Sequence, residues 1–149
     1  MSEKPVEILL VEDDPNDVEL TLHALKKYNV VNRIHVARDG VEALDYIFGT
    51  GPTAHREFKD MPKLVLLDLK LPKVDGLEVL RRLKGDPLTM RIPVVILTSS
   101  REESDLIASY DNGANSYITK PVDFQQFSEA VRQLEVYWLL LNEPPPLAG

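Results

Sequence analysis

Residues 64–76 read LVLLDLKLPKVDG. The segment is an apolar run, Lys63 to Leu67, that ends on Asp68. A loop with Pro72 and the Asp75-Gly76 pair then leads into a helix from Leu77 to Leu83. A short continuous apolar strand followed by a helix is the repeating unit of a βα protein with a parallel sheet.

Working outward in both directions, the same unit recurs, and five strand-helix pairs can be counted. Upstream, Val6 to Val11 is the first strand, and Asp14-Pro15 supplies an N-cap and an N1 proline for a helix whose buried stripe is Val18, Leu22 and Leu25. Asn29 to Asn32 turn the chain into a second strand, Arg33 to Ala37. A helix from about Gly40 to Phe48 follows, burying Val41, Leu44 and Ile47 or Phe48 and ending at Gly49. The polar stretch from Gly49 to Pro62 exceeds the usual two to six residues of an αβ connection and reads as an exposed loop. Downstream, Val94 to Leu97 is the fourth strand, and Glu102 to Asp111 is a helix with Gly113 as its stop. Ser116 to Thr119 is the fifth strand. It runs into Lys120-Pro121 and a long last helix from near Asp123, on which Phe124, Phe127, Val131, Leu134, Trp138 and Leu141 recur at helical spacing. The expected architecture is a doubly wound, five-stranded parallel α/β sheet of flavodoxin-like order 2-1-3-4-5, with an extended C-terminal helix and tail.

The 149 residues fit one domain, with a core over about residues 6–137 and an extension over 138–149. Hydrophobic residues at 44% and charged residues at 28% describe an ordinary folded chain. A net charge of -7, with no cluster of Lys and Arg, argues against nucleic acid as a partner. The absence of cysteine removes disulfides, thiolate metal sites and cysteine nucleophiles, and is compatible with a reducing cytosol. The polar start lacks a signal-peptide core, and no apolar run reaches the roughly 18 residues that span a bilayer, so a soluble cytoplasmic protein is expected.

In open α/β sheets, functional groups gather beyond the carboxyl ends of the strands, at the point where strand order reverses. Glu12, Asp13 and Asp14 follow strand one, Asp68 follows strand three, Thr98 ends strand four and Lys120 follows strand five. Asp14, directly before Pro15, reads as the helix cap. Strands one and three flank the switch point, so Glu12 and Asp13 should face Asp68 across a crevice. Adjacent carboxylates repel by about 4 kcal/mol at 4 Å with an effective dielectric near 20, so three together need protonation or a cation. Mg²⁺ answers that need: it prefers oxygen ligands and is commonly held by one or two carboxylates plus a substrate phosphate. The chemistry to which such a site lends itself is phosphoryl transfer onto the Asp68 carboxylate, with Lys120 and the Thr98 hydroxyl taking the phosphoryl oxygens. His23, His35 and His55 fall in different elements without ligand spacing.

The segments ILLVEDDP (8–15), LVLLDLKLPKVDG (64–76), PVVILTSS (93–100) and SYITKP (116–121) closely resemble the receiver domains of two-component response regulators, the CheY-like family. The resemblance implies Asp68 as phosphoacceptor and Glu12 and Asp13 as the acidic metal pair, with the backbone carbonyl of Lys70 as a further ligand. It also implies Thr98 and Tyr117 as switch residues, and a cis bond from Lys120 to Pro121. The expected partner is then a sensor histidine kinase, and the chain is a phosphoacceptor switch rather than an enzyme. The long loop after helix two, TKPVDFQQF (119–127) and VYWLLLNEPPP (136–146) resemble the single-domain regulators paired with bacterial phytochromes. Two departures stand out: Lys70 lies where many receivers have Asn, and Ser100 lies at an equally variable place. In the family these positions tune the lifetime of the aspartyl phosphate.

Residues 136–141 are apolar all round, so Tyr137, Trp138 and Leu140 suggest a partner surface. A homodimer is expected, since the family associates through helix four, strand five and helix five. Output would be protein-protein interaction through that face, because no DNA-binding or catalytic segment follows Tyr137. The alternatives are a receiver-like adaptor that works without phosphorylation, against which the complete acidic, hydroxyl and lysine set weighs, and an aspartate-nucleophile phosphatase. The phosphatase requires a second Asp where this chain has Lys70. A flavodoxin-type cofactor module would want a phosphate loop where Glu12-Asp13-Asp14 stand, and acids repel phosphate.

Overall fold

The middle of the parallel ladder is built from three apolar runs buried on both sides, Ile8 to Val11, Leu64 to Leu67 and Val94 to Leu97. A computed structural model describes residues 7–27, 33–49, 61–120, 125–127 and 129. Its elements run β1 (Glu7–Val11), α1 (Pro15–Lys27), β2 (Arg33–Ala37), α2 (Gly40–Phe48), β3 (Leu64–Leu67), α3 (Gly76–Gly85), β4 (Val94–Thr98), α4 (Glu103–Asp111) and β5 (Ser116–Thr119). The strands form one sheet in the order β2-β1-β3-β4-β5, every neighbouring pair parallel. The expected fold class and strand order are therefore observed.

Alternate side chains of each strand feed two cores. Leu9, Val11, Val65, Leu67 and Ile96 point to one face, where α2 and α3 cover them with Ala43, Leu44, Ile47, Val79, Leu80 and Leu83. Ile8, Leu10, Leu64, Leu66, Val95, Leu97 and Ile118 point to the other face, under Val18 and Leu25 of α1 and under Phe127. The register sets Val11 opposite both Ala37 and Leu67, and Thr98 opposite Thr119, so all five strands end along one edge.

Two readings of detail change. Val41 is 39% exposed: the buried side of α2 runs through Gly40, Ala43, Leu44, Tyr46 and Ile47, and Val41 sits about 100° around the helix from Gly40. Thr21 is buried between Val18 and Leu25, whereas Leu22 is only partly buried. Val6, the loop 50–60, Pro121, Phe124, and the helical stripe from Val131 onward with Tyr137, Trp138, Leu140 and the tail lie outside the described residues. Among the described residues, no helix is long and apolar enough to cross a membrane.

The N-terminus of α2 shows how local signals lock an element. Asp39 Oδ1 accepts the Glu42 N–H at 2.8 Å, and Glu42 Oε2 accepts the Arg38 N–H at 3.3 Å, a reciprocal arrangement akin to a capping box. The Glu42 N–H, and then the Lys73 ammonium at 3.4 Å, hold the Asp39 carboxyl below its ordinary value of 3.8. Asp39→Ala should therefore cost about 1 kcal/mol at neutral pH, read as a lower urea midpoint. A carboxyl depressed in the folded state contributes fully above its unfolded value and loses that contribution as pH falls through its folded one. The gap between wild type and variant should thus narrow below pH 3.8. A gap that stays constant into strong acid would remove charge from the explanation.

Candidate functional site

The strand ends build the site by carrying the ladder one residue further. Glu12 N–H donates to Ala37 O at 2.9 Å, Asp68 N–H to Val11 O at 3.0 Å and Lys120 N–H to Thr98 O at 2.8 Å. Each functional residue is thereby fixed by its backbone to the strand beside it. The turns behind them are fixed as well: Asp14 caps α1, its Oδ1 accepting the Asn16 N–H at 2.8 Å and the Asp17 N–H at 3.4 Å. The expected capping role of Asp14 is what the structure shows.

Glu12 and Asp68 are buried, at 2% and 5% exposure, and Asp13 is exposed. One carboxylate oxygen from each of Glu12, Asp13 and Asp68 lies within 4.8 Å of the others. Lys120 reaches into this group. Its Nζ donates to Glu12 Oε1, to Asp17 Oδ2 at 3.0 Å and to Asp68 Oδ2 at 3.2 Å. The backbone N–H groups of Asp14 and Lys70 add bonds to Glu12 Oε2 at 3.2 Å and Asp68 Oδ1 at 3.4 Å.

Burial pushes the Glu12 carboxyl up to about 7, against the pull of the Lys120 bond, and the Asp68 charge adds to the rise. Burial opposes the charge on Lys120 too, but its bonds to Glu12 and Asp17 and the charges of Asp68 and Glu12 outweigh it, so the ammonium is held charged. A single ammonium shared by Glu12, Asp17 and Asp68, with Asp13 alongside, leaves the crevice negative. An all-oxygen donor set with uncompensated charge, partly open to solvent at Asp13, fits a hard divalent cation.

Thr98 is fully buried at the end of β4, and its Oγ1 accepts the Ser100 N–H at 3.2 Å. Tyr117 on β5 donates its hydroxyl to Ser100 O at 3.0 Å, and Ser100 Oγ donates to Asp105 Oδ2 at 2.5 Å in the first turn of α4. Ser100 thus links the Thr98 hydroxyl, Tyr117 and α4. Burial, ahead of the charges of Asp105 and Glu102, raises the Tyr117 phenol above its ordinary value, so it serves as a donor.

Strand-end reasoning located Glu12, Asp13, Asp68, Thr98 and Lys120 on this edge; it missed Asp17 and the Ser100–Asp105 link. Asp17 had a signal in its place: it is an acid in the first turn of α1, the helix that follows directly on Glu12 and Asp13.

Known proteins resemble this chain over nearly its whole length. The model of the response regulator receiver domain matches residues 8–132. The solved bacteriophytochrome response regulator AtBRR is 56% identical, with a TM-score of 0.83 over 95% of this chain and 100% of its own. The phosphorylated cyanobacterial phytochrome response regulator RcpA is 42% identical, with a TM-score of 0.75 over 92% of this chain and 95% of its own. Response regulator Rcp1 of Synechocystis sp. is 41% identical across 93% of this chain and 92% of that protein. A solved Mn²⁺-bound form of a response regulator Rcp1 is 38% identical, with a TM-score of 0.75 over 96% of this chain and 100% of its own.

Proposed function

The chain belongs to the response regulator receiver family, and from that premise we propose that it accepts a phosphoryl group on Asp68 from a sensor histidine kinase, with Mg²⁺ bound beside it. The observation that carries this reading is the meeting of the Glu12, Asp13 and Asp68 carboxylates with Lys120 bridging Glu12 and Asp68. Glu12, Asp13, Asp68 and the Lys70 carbonyl are the candidate ligands. When bound, the ion supplies charge neutralisation toward an anionic donor and its equatorial oxygens.

The rest is done by the chain. An Asp68 carboxylate oxygen forms the new bond to phosphorus as the bond from phosphorus to the donor breaks, and the leaving group keeps that electron pair. Lys120, already bonded to Asp68 Oδ2, neutralises an oxygen of the incoming group, and the Thr98 hydroxyl turns to donate to another. That turn acts on Ser100, whose N–H bonds Thr98 and whose carbonyl accepts from Tyr117. The face of α4 and β5 is then repacked as the output. Leu106, Ile107 and Tyr110 of α4 are exposed on it, at 37%, 52% and 48%. On this reading the protein is a cytoplasmic switch without a catalytic turnover of its own. Its kinase is a bacterial phytochrome, as the likeness to AtBRR and RcpA supports, and it works as a homodimer through the α4–β5 side, with Tyr137, Trp138 and Leu140 adding to the interface.

Incubation with acetyl phosphate and Mg²⁺, followed by peptide mapping, tests the reading. A single phosphoryl group on the peptide containing Asp68, absent when the metal is chelated, is the expected result. Uptake at another residue, or undiminished uptake without metal, overturns it. Size-exclusion elution as a monomer both before and after phosphorylation would remove the homodimer.

A further inference from the structure

Lys120 Nζ carries three N–H donors and meets three carboxylates: Glu12, Asp17 at 3.0 Å and Asp68 at 3.2 Å. Two of these acceptors, Glu12 and Asp68, also belong to the acidic group suited to a cation, and Asp17 does not. From this division we infer that Asp17 is a positioning residue for phosphoryl transfer: it anchors the Lys120 ammonium, independently of the metal, with one N–H aimed at the reacting carboxylate of Asp68.

The inference rests on the phosphoacceptor reading and deepens it. A lysine side chain has four rotatable methylene bonds, and holding its end in one place forfeits considerable rotamer freedom. The fold meets that cost from two sides. Glu12 stands at the end of β1, and Asp17 stands on the third residue of α1, its N–H bonded to the Asp14 cap and its carboxylate favoured by the helix N-terminus. Between them the ammonium is held with its third donor on Asp68 Oδ2. A cation that draws on the lone pairs of Glu12 and Asp68 weakens both of those bonds to Lys120, which leaves the Asp17 carboxylate as the one acceptor not shared. After transfer, a phosphoryl oxygen replaces the free Asp68 oxygen as third acceptor, and the Asp17 anchor has no need to move. The Asp17 side chain is 33% exposed and that of Lys120 is 11%, so the pair is shielded enough for the bond to matter.

A double-mutant cycle isolates this role. Phosphorylation rate with acetyl phosphate at saturating Mg²⁺ is measured for wild type, Asp17→Ala, Lys120→Met and the double variant. Asp17→Ala should slow uptake about tenfold, the scale of one hydrogen bond to a charged group, and Asp17→Asn, which keeps an uncharged acceptor, should fall between it and wild type. In the Lys120→Met background, removal of Asp17 should add no further loss. Mn²⁺ affinity by calorimetry should change less than the rate does. In chelator, the same cycle on the folding equilibrium constant should show coupling of about threefold or more. Additive losses in the double variant, or an Asp17→Ala rate equal to wild type at saturating Mg²⁺, overturn the inference while wild-type uptake stands. Failure of wild type itself to take up phosphoryl overturns the underlying reading and this one with it. Should Asp17→Ala not fold, the Asp17→Asn cycle gives the same decision.

Discussion

Asp68→Asn is expected to abolish phosphoryl uptake while leaving the protein folded. The amide keeps an oxygen to accept from Lys70 N–H and Lys120 Nζ, now 3.4 Å and 3.2 Å from the carboxylate, so the hydrogen bonds that place the side chain survive the change. What disappears is the anionic nucleophile, and with it one of the three carboxyl groups that could hold a cation. The Asp68 charge is part of what raises Glu12, so in the variant Glu12 should titrate lower and the metal-free protein should unfold at or above the wild-type temperature. Divalent-cation affinity should fall about tenfold or more, because a charged ligand has become a neutral one. Intact mass after acetyl phosphate treatment, Mn²⁺ calorimetry and a thermal melt in chelator check the three parts. A mass gain in the variant equal to that of wild type would take the acceptor role from Asp68.

Gly76→Ala is expected to damage both stability and phosphoryl uptake, although Gly76 bears no functional group. A Cβ at this position would stand 2.2 Å from the Asp68 carbonyl oxygen and 2.6 Å from Leu69 Cα. Both neighbours are backbone, so no rotamer change can relieve the contact. The Gly76 N–H also donates to Leu69 O at 3.0 Å and ties the start of α3 to the segment that carries Asp68. Overpacking of this kind costs about 1–3 kcal/mol and occasionally more; here the upper end applies, since strand and helix must separate. Separation moves Asp68 away from Lys120, so uptake should drop even where the variant remains folded. A urea titration and a phosphorylation rate measured well below the unfolding midpoint distinguish the two losses. A variant with wild-type stability and rate would show that the loop has slack the close approach denies.

The sheet was legible because its central strands are buried on both faces: runs such as Leu64 to Leu67 and Val94 to Leu97 are apolar without alternation, and Gly, Pro and Asp punctuate the ends. The positions of Glu12, Asp68, Thr98 and Lys120 followed from the same fact, since the end of a strand is where the chain must leave the sheet. Asp17 was not legible in that way. An acid in the first turn of a helix is explained well enough by the helix itself, and its partner Lys120 stands 103 residues away. The Ser100–Asp105 bond was hidden for a similar reason, because Ser100 lies in a loop whose path depends on how α4 docks. Val41 was misread because a nine-residue helix has too few turns for its apolar pattern to pick out one face.

Because β1 pairs directly with β3, Glu12, Asp13 and Asp68 all come from two adjacent strands within the first 68 residues. The lysine that offsets them follows Asp68 by 52 residues and docks only with the last strand. The acids of the crevice and the ammonium that offsets them are thus supplied by opposite ends of the sequence, so the charge balance at the site depends on how β5 docks at the far edge of the sheet.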